Sequence, residues 1–173
     1  MYIFMYIIYI LSALSFGGIT LLGIGGLLGP HGYFGMNHPT FALLVAVIFL
    51  AAEVLVMFFF VGTGVSIKEY VRDHPDADPE LHRRSIAIKR ALYPPTLNVT
   101  LIVMLTFILG GAVDRNMISH WWHLGSWVLS MWLFMRALKV QNRCLADNTA
   151  IILEMVGLRL GEPAPDNEHE VTS

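Results

Sequence analysis

Charged side chains are scarce in this sequence, and their scarcity argues against a soluble protein. Only 14% of the 173 residues are Asp, Glu, Lys or Arg, and none of these occurs from Met1 to Ala52. A soluble domain carries about 25% charged residues, which keep its surface hydrated. Because 55% of the chain is hydrophobic, we expect an integral membrane protein in contact with membrane lipid. The basic residues flank the apolar runs and form no groove, so no nucleic-acid partner is expected.

Cysteine is also scarce, since Cys144 is the single thiol. One cysteine excludes an internal disulfide, a CxxC pair and a thiolate zinc site. The N-terminal run Met-Tyr-Ile-Phe-Met has no basic region ahead of it and no clear small-residue cleavage site. A basic region and a small-residue cleavage site are features of a cleaved secretory signal. We therefore expect the first apolar segment to be retained as a helix.

Long apolar runs are what the sequence does contain. A helix needs about 20 such residues to cross a bilayer, and four stretches qualify, over about 2–28, 40–64, 94–113 and 119–138. The third stretch starts at Pro94-Pro95, which suit a first helical turn. The sequence predicts an all-α integral membrane protein, a four-transmembrane-helix bundle with helical cytoplasmic extensions, in one domain over residues 1–160.

The polar segments are the loop 65–93, a helical extension over 140–160 and a tail over 161–173. We expect the second helix to continue to Tyr70, and a turn to follow over 73–79. Asp78 is predicted to cap a short helix with Pro79 at its first position, and this helix leads into the third span. The acidic and proline-containing tail is typical of disorder.

The distribution of basic residues predicts the orientation in the membrane. Of the 11 Lys and Arg residues, only Arg115 lies between the third and fourth spans. The others lie in the loop 65–93 or follow the fourth span. Since basic residues concentrate on the cytoplasmic side, we expect both termini in the cytoplasm, in an integral protein of a bacterial inner membrane.

Glu53 is the most informative residue within a span, because a charge there costs roughly 2.5 kcal/mol or more. Helical counting places a polar belt near its level, made by Tyr9, Ser12, Asn98, Thr100 and Ser130. We name Glu53 and Asn98 as the buried polar or proton-handling residues. Two interpretations stay open for Glu53: an interhelical polar clamp, and a proton-relay or quinone-site carboxyl.

A small-residue face on the first helix predicts close packing against a neighbour. At about 100° per residue, Ser15, Gly18, Gly25 and Gly29 share one arc of that helix. Small residues let transmembrane helices approach closely. The face can serve the bundle itself or a partner subunit.

Four of the seven histidines fall on the outer side in this orientation: His31, His38, His120 and His123. On the fourth helix, His123 shares a narrow polar arc with Ser119, Ser126 and Ser130, and Trp121 and Trp132 lie far around the helix. We therefore expect this arc to face the bundle and the tryptophans to face lipid.

The histidine pattern predicts a cofactor site. His38 lies at the head of the second helix, on roughly the same side as Glu53. Two inward imidazoles at matching depth on different helices suit haem b, whose iron takes one nitrogen on each face of the macrocycle. We predict His38 and His123 as the iron ligands, His120 and His31 as substitutes, and Arg115 as a partner for a propionate.

Two other interpretations of the histidines stay open. One is a copper or zinc site, since imidazole suits both metals and thioethers favour Cu(I). Met36 and Met117 lie near the histidines in sequence. The other is a site with no cofactor, because histidine and tryptophan are amphipathic and comfortable at a membrane interface.

The leading functional hypothesis is a small membrane redox subunit in electron transport, working with other membrane subunits and with quinone as a further partner. The alternative is a structural or assembly subunit with no cofactor of its own. A third hypothesis is a membrane enzyme or a small transporter that uses Glu53. The transporter is disfavoured because the two halves of the sequence show no internal repeat.

Overall fold

The computed structural model of this chain is all-helical, as the sequence predicts, and it describes residues 2–28, 33–75 and 77–157. Its helices are α1 (Tyr2–Leu28), α2 (His38–Asp73), α3 (Glu80–Asp114) and α4 (His120–Met155). Three of them, α1, α2 and α3, are long and apolar enough to cross a membrane. They support an integral membrane protein in contact with lipid.

The helices pack in chain order around a ring. α1 lies against α2, α2 against α3, and α3 against α4 in the most extensive of the interfaces, while α4 returns to α1. α2 and α4 meet at only a few points, because they face each other across the bundle. Side chains of α2 and α4 that point inward therefore approach one another along this diagonal.

Capping residues define where two of the helices begin. The side chain of Asn37 accepts a hydrogen bond from the Thr40 amide at 3.0 Å, with Pro39 in the first turn of α2. The carboxylate of Asp78 accepts one from the Glu80 amide at 2.8 Å, but α3 begins at Glu80 with Pro79 as its N-cap residue, one position later than predicted. Side chains of this kind satisfy amides that have no intrahelical partner.

The third helix differs from the prediction, because Pro94 and Pro95 lie inside α3 and do not begin it. A proline within a helix removes one backbone hydrogen bond and crowds the preceding turn. Here the neighbouring turns are held by packing, since Leu92 and Thr96 on either side are almost completely buried. The short helix and the third span are therefore one continuous helix.

Two hydrophobic clusters form the core, one in each half of the bundle. The outer cluster, near the start of α2, contains Phe49 and Phe134, whose rings meet edge to face at 5.3 Å. The inner cluster contains Phe60, Leu92 and Leu145. A level of polar side chains separates the two clusters, and it includes Glu53.

The small-residue face of α1 packs within the bundle. Ser15 is fully buried, and Gly18 lies directly against the side chain of Val45 on α2. Further along α1, the indole of Trp127 donates a hydrogen bond to the Ile19 carbonyl at 2.9 Å and covers Gly23. Gly29 lies outside the described residues.

Replacing Gly18 by Leu is expected to destabilise the bundle, because a Cβ atom there would lie 2.7 Å from a Val45 methyl group. Overpacking of this kind costs about 1–3 kcal/mol. Gly17→Leu is the matched control, since a Cβ atom at Gly17 meets nothing within 4 Å and both changes alter helix propensity equally. Thermal unfolding in detergent should show a lower Tm for G18L only; equal Tm values would refute the close α1–α2 contact.

Candidate functional site

A buried carboxyl lies at the centre of the bundle, where three helices meet. Glu53 of α2 is only 4% exposed, and its Oε2 accepts a hydrogen bond from Nε2 of Gln141 on α4 at 2.8 Å. The same amide group is 3.3 Å from Oγ1 of Thr96 on α3 and donates to it. Both partners are almost fully buried. We call Glu53, Gln141 and Thr96 the polar cluster.

Three residues of the polar belt predicted around Glu53 have other surroundings. Asn98, predicted to be buried with Glu53, is exposed on the outside of α3, and Tyr9 is 43% exposed. Ser130 is buried but shares its hydrogen bond with Thr106 at 2.8 Å. Asn98 therefore does not join the buried group, because the inward face of α3 at this level is set by Thr96.

Gln141 was missed because the predicted fourth span ended before it. The sequence placed residues 140–160 in an extension outside the membrane, whereas α4 runs unbroken from His120 to Met155. The packing of α4 brings Gln141 to the level of Glu53. The signal that could have found it is a polar amide at position 141 on the same arc as buried Phe134 and Ala137.

Glu53 also lines a groove on the outside of the bundle. The groove lies between α2 and α3, has a volume of about 300 Å³, and includes both threonines at this level of α3, Thr96 and Thr100. Apart from Glu53 and these hydroxyls, its walls are apolar: Leu50, Val54, Met57, Phe58, Val61 and Leu97. The carboxyl is therefore the one ionisable group of an otherwise apolar recess.

His123 is held in a fixed orientation in the outer half of the bundle. Its Nδ1 lies 3.1 Å from the backbone carbonyl oxygen of Thr106 on α3. A carbonyl only accepts hydrogen bonds, so Nδ1 carries the proton in this contact and Nε2 keeps its lone pair. This arrangement is common among metal-bound histidines, whose other ring nitrogen is hydrogen-bonded to a carbonyl or carboxylate.

The surroundings of His123 explain its inward position. Part of the predicted polar arc of α4 faces the bundle: Ser130 is 1% exposed, whereas Trp121 is 75% exposed. His123 and Ser126 are half-buried, and Ser119 at the start of the arc is exposed. Gly110 of α3 leaves room for the ring, because a Cβ atom there would lie 3.1 Å from the imidazole Cε1.

The structure brings His38 and His123 to the same place. His38 lies in the first turn of α2, and both histidines line two cavities of about 60 and 160 Å³. Ala42 and Phe107 line both cavities as well. The sequence-based pairing of these two histidines thus corresponds to a shared site between the diagonal helices.

The other predicted ligands lie elsewhere. His120 is exposed, with its ring 6.5 Å from that of His123, and Arg115 is exposed just beyond α3. Neither lines the cavities, whereas Asp114 lines the larger one. Met117 is 76% exposed. His31 lies outside the described residues.

The described part of the chain contains no cluster of protein side chains that could bind a metal ion by itself. Within residues 2–28, 33–75 and 77–157, no three or more His, Cys, Asp or Glu side chains are grouped so that they could hold a metal ion. Zinc sites use three or four protein ligands.

The cavities are small compared with a macrocycle. Ligand pockets commonly measure roughly 300–1,000 Å³, and the two histidine cavities measure about 60 and 160 Å³. The larger cavity is partly walled by exposed residues, Phe107 and Ile108. The nitrogen donors fit a bis-histidine centre, but a macrocycle requires Phe107 and its neighbours to move outward.

Comparison with protein-family models, curated proteins and solved structures finds no match to this chain.

Gln141→Leu is expected to lower the stability of the bundle by about 1–3 kcal/mol, because it leaves the buried Glu53 carboxyl without its donor. Asn142→Leu is the matched control, since Asn142 is the adjacent residue on the exposed side of α4. Denaturant titration of both variants in the same detergent measures the difference. Equal stability of the two variants would show that the Gln141–Glu53 hydrogen bond is unimportant.

Proposed function

We propose that this protein is a membrane redox subunit that binds haem b between α2 and α4, with His38 and His123 as the axial ligands. The single observation that carries the proposal is the orientation of His123. Its Nδ1 is engaged by the Thr106 carbonyl at 3.1 Å, so Nε2 is free to bind, and His38 lines the same cavities.

The number of ligands favours haem over copper or zinc. Haem iron already has four nitrogen ligands from the macrocycle and needs one or two from the protein. Two histidines from facing helices supply these without a third protein ligand, as cofactor sites in helical bundles commonly do. His120 does not line the cavities and takes no ligand role in this proposal, whereas Arg115 at the end of α3 is the candidate partner for a propionate.

Bound haem would supply one-electron oxidation and reduction. The residues of the chain have separate tasks. The Thr106 carbonyl fixes the His123 tautomer, and Ser130 fixes the Thr106 hydroxyl through their 2.8 Å contact. Trp127 lines the smaller cavity and would exclude water from the macrocycle edge.

The proposal includes a specific placement in the membrane. α4 packs along α3 over much of its length, so it crosses the bilayer with α3 even though its exposed face carries charges. Lys68 and Arg72 near the end of α2, with Arg83 and Arg84 near the start of α3, support a cytoplasmic location for those helix ends and for both termini, in a bacterial cell. The histidine site then lies near the outer face of the inner membrane.

Such a subunit needs partners for its electrons. The described extramembrane segments are helix ends and short turns, which offer little surface for a soluble electron donor. We propose that electrons pass to and from other membrane subunits or a membrane quinone.

The second candidate function is an assembly subunit, and the exposed face of α4 favours it. Arg136, Lys139 and Arg143 are all exposed on this face, and Arg136 lies over the ring of Trp132 at 4.9 Å. Arg136 precedes Gln141, which contacts Glu53, so these charges lie at the depth of the buried carboxyl. Charges facing lipid at that depth are costly, and a partner subunit covering α4 would remove that cost.

A dithionite-reduced minus oxidised absorption spectrum tests the haem proposal. Protein expressed with haem available and purified in mild detergent should show the sharp alpha band of a b-type haem. His123→Ala and His38→Ala should each abolish or strongly weaken this band, because each removes one axial ligand.

His120→Ala is the matched control, since His120 is exposed and lies one turn before His123 on α4. Its spectrum should equal that of the unmodified protein. A flat spectrum from folded protein would overturn the haem proposal, and copurifying membrane subunits in that case would support the assembly function.

A further inference from the structure

We propose that the groove between α2 and α3 binds the ring of a membrane hydroquinone, with Glu53 accepting a hydrogen bond from a ring hydroxyl. The choice of ligand class rests on the proposed redox function. The site itself is argued from the groove, and it is separate from the histidine site. Glu53 and His38 are 15 positions apart on α2, which corresponds to about 22 Å along the helix axis.

The groove opens toward lipid. Its rim consists of apolar side chains that are about half exposed or more, including Val54, Phe58 and Leu97. These residues lie on the apolar helices α2 and α3, which are long enough to cross a membrane. A lipophilic molecule can therefore enter sideways from the bilayer without passing through water.

The Glu53 carboxyl lines the groove and is almost completely buried there. Gln141 donates to its Oε2, which leaves the second carboxyl oxygen for another donor. The Oε1 atom of the same Gln141 amide is buried and lacks a hydrogen-bond partner within the described part of the chain. Buried polar atoms are normally satisfied by protein, water or ligand. A ligand with a hydroxyl donor at its head would satisfy the carboxyl.

The dimensions of the groove match the head of such a ligand. The volume of about 300 Å³ lies at the lower end of the range for small-molecule sites. The lining residues of α2 run from Leu50 to Val61, a length of about 16 Å at the helical rise. This accommodates one aromatic ring and the start of an apolar chain, with the rest of the chain in lipid.

The geometry also predicts which redox form binds. A hydroquinone has hydroxyl donors, whereas a quinone has only carbonyl acceptors, so a carboxylate favours the reduced form. In Glu53→Gln, the NH₂ group of Gln141 still needs an acceptor. The carbonyl oxygen of the new amide therefore takes the position of Oε2. The new NH₂ group then faces the groove and favours the quinone.

The test measures binding of a decyl-benzohydroquinone and of the matching benzoquinone to protein in lipid nanodiscs, relative to empty nanodiscs. The unmodified protein should bind the hydroquinone saturably and about two- to tenfold more tightly than the quinone, since one hydrogen bond contributes about 0.5–1.5 kcal/mol. E53Q should reverse this preference.

Val54→Phe should block the groove, because Val54 lines it. Val47→Phe is the matched control, since Val47 lies two turns earlier on the same lipid-facing side of α2, is 56% exposed and does not line the groove. Loss of hydroquinone binding in V54F with full binding in V47F would support the site.

Three results would overturn it: no saturable binding to the unmodified protein, equal binding in V54F and V47F, or preference for the quinone in the unmodified protein. The His123→Ala variant separates this proposal from the haem proposal. It should lose the haem spectrum and keep hydroquinone binding. A protein that binds the hydroquinone without haem contradicts the proposed function alone, and one with haem but an empty groove contradicts this inference alone.

Discussion

The hydrogen bond from Gln141 to Glu53 is the interaction on which the middle of this bundle depends. An isolated carboxyl is costly to bury, and Gln141 supplies the donor that Glu53 needs while also contacting Thr96 on the third helix. Because the amide must reach both partners, it fixes the positions of α2, α3 and α4 along one another. The two hydrophobic clusters lie on either side of this level, so the axial register of their packing is set by it as well.

The register has consequences for the outer half of the molecule. Ser130 and His123 precede Gln141 on the inward-facing side of α4. When Gln141 lies beside Glu53, Ser130 contacts the Thr106 hydroxyl and His123 contacts the Thr106 carbonyl. His38, at the first turn of α2, then lines the same cavities from the opposite side of the bundle. The proposed haem site follows from a pair of diagonal helices whose alignment is determined by a polar contact deeper in the bundle.

The sequence predicted the elements of this fold better than their alignment. Apolar runs and the scarcity of charge predicted four helices, and the polar arc of α4 predicted the inward position of His123. The partner of Glu53 was wrong because counting residues from each predicted membrane boundary gives depth only if the boundaries are known. α3 runs through Pro94 and Pro95, and α4 continues past Arg136. These long helices move Gln141 to a depth that hydropathy assigned to the cytoplasm. The prediction for Asn98 was wrong for a different reason. Its depth along α3 is close to that of Glu53, but packing decides which face of a helix points inward, and Thr96 occupies that face.

Electron paramagnetic resonance of the oxidised protein reports the two proposed ligands directly. Two imidazole ligands on ferric haem give a low-spin signal, and loss of either ligand shifts the iron to high spin. We expect a low-spin spectrum for the unmodified protein and a high-spin spectrum when His38 or His123 alone is replaced. A high-spin spectrum from the unmodified protein, or a low-spin spectrum that persists in both variants, would contradict a haem held between α2 and α4 by these two histidines.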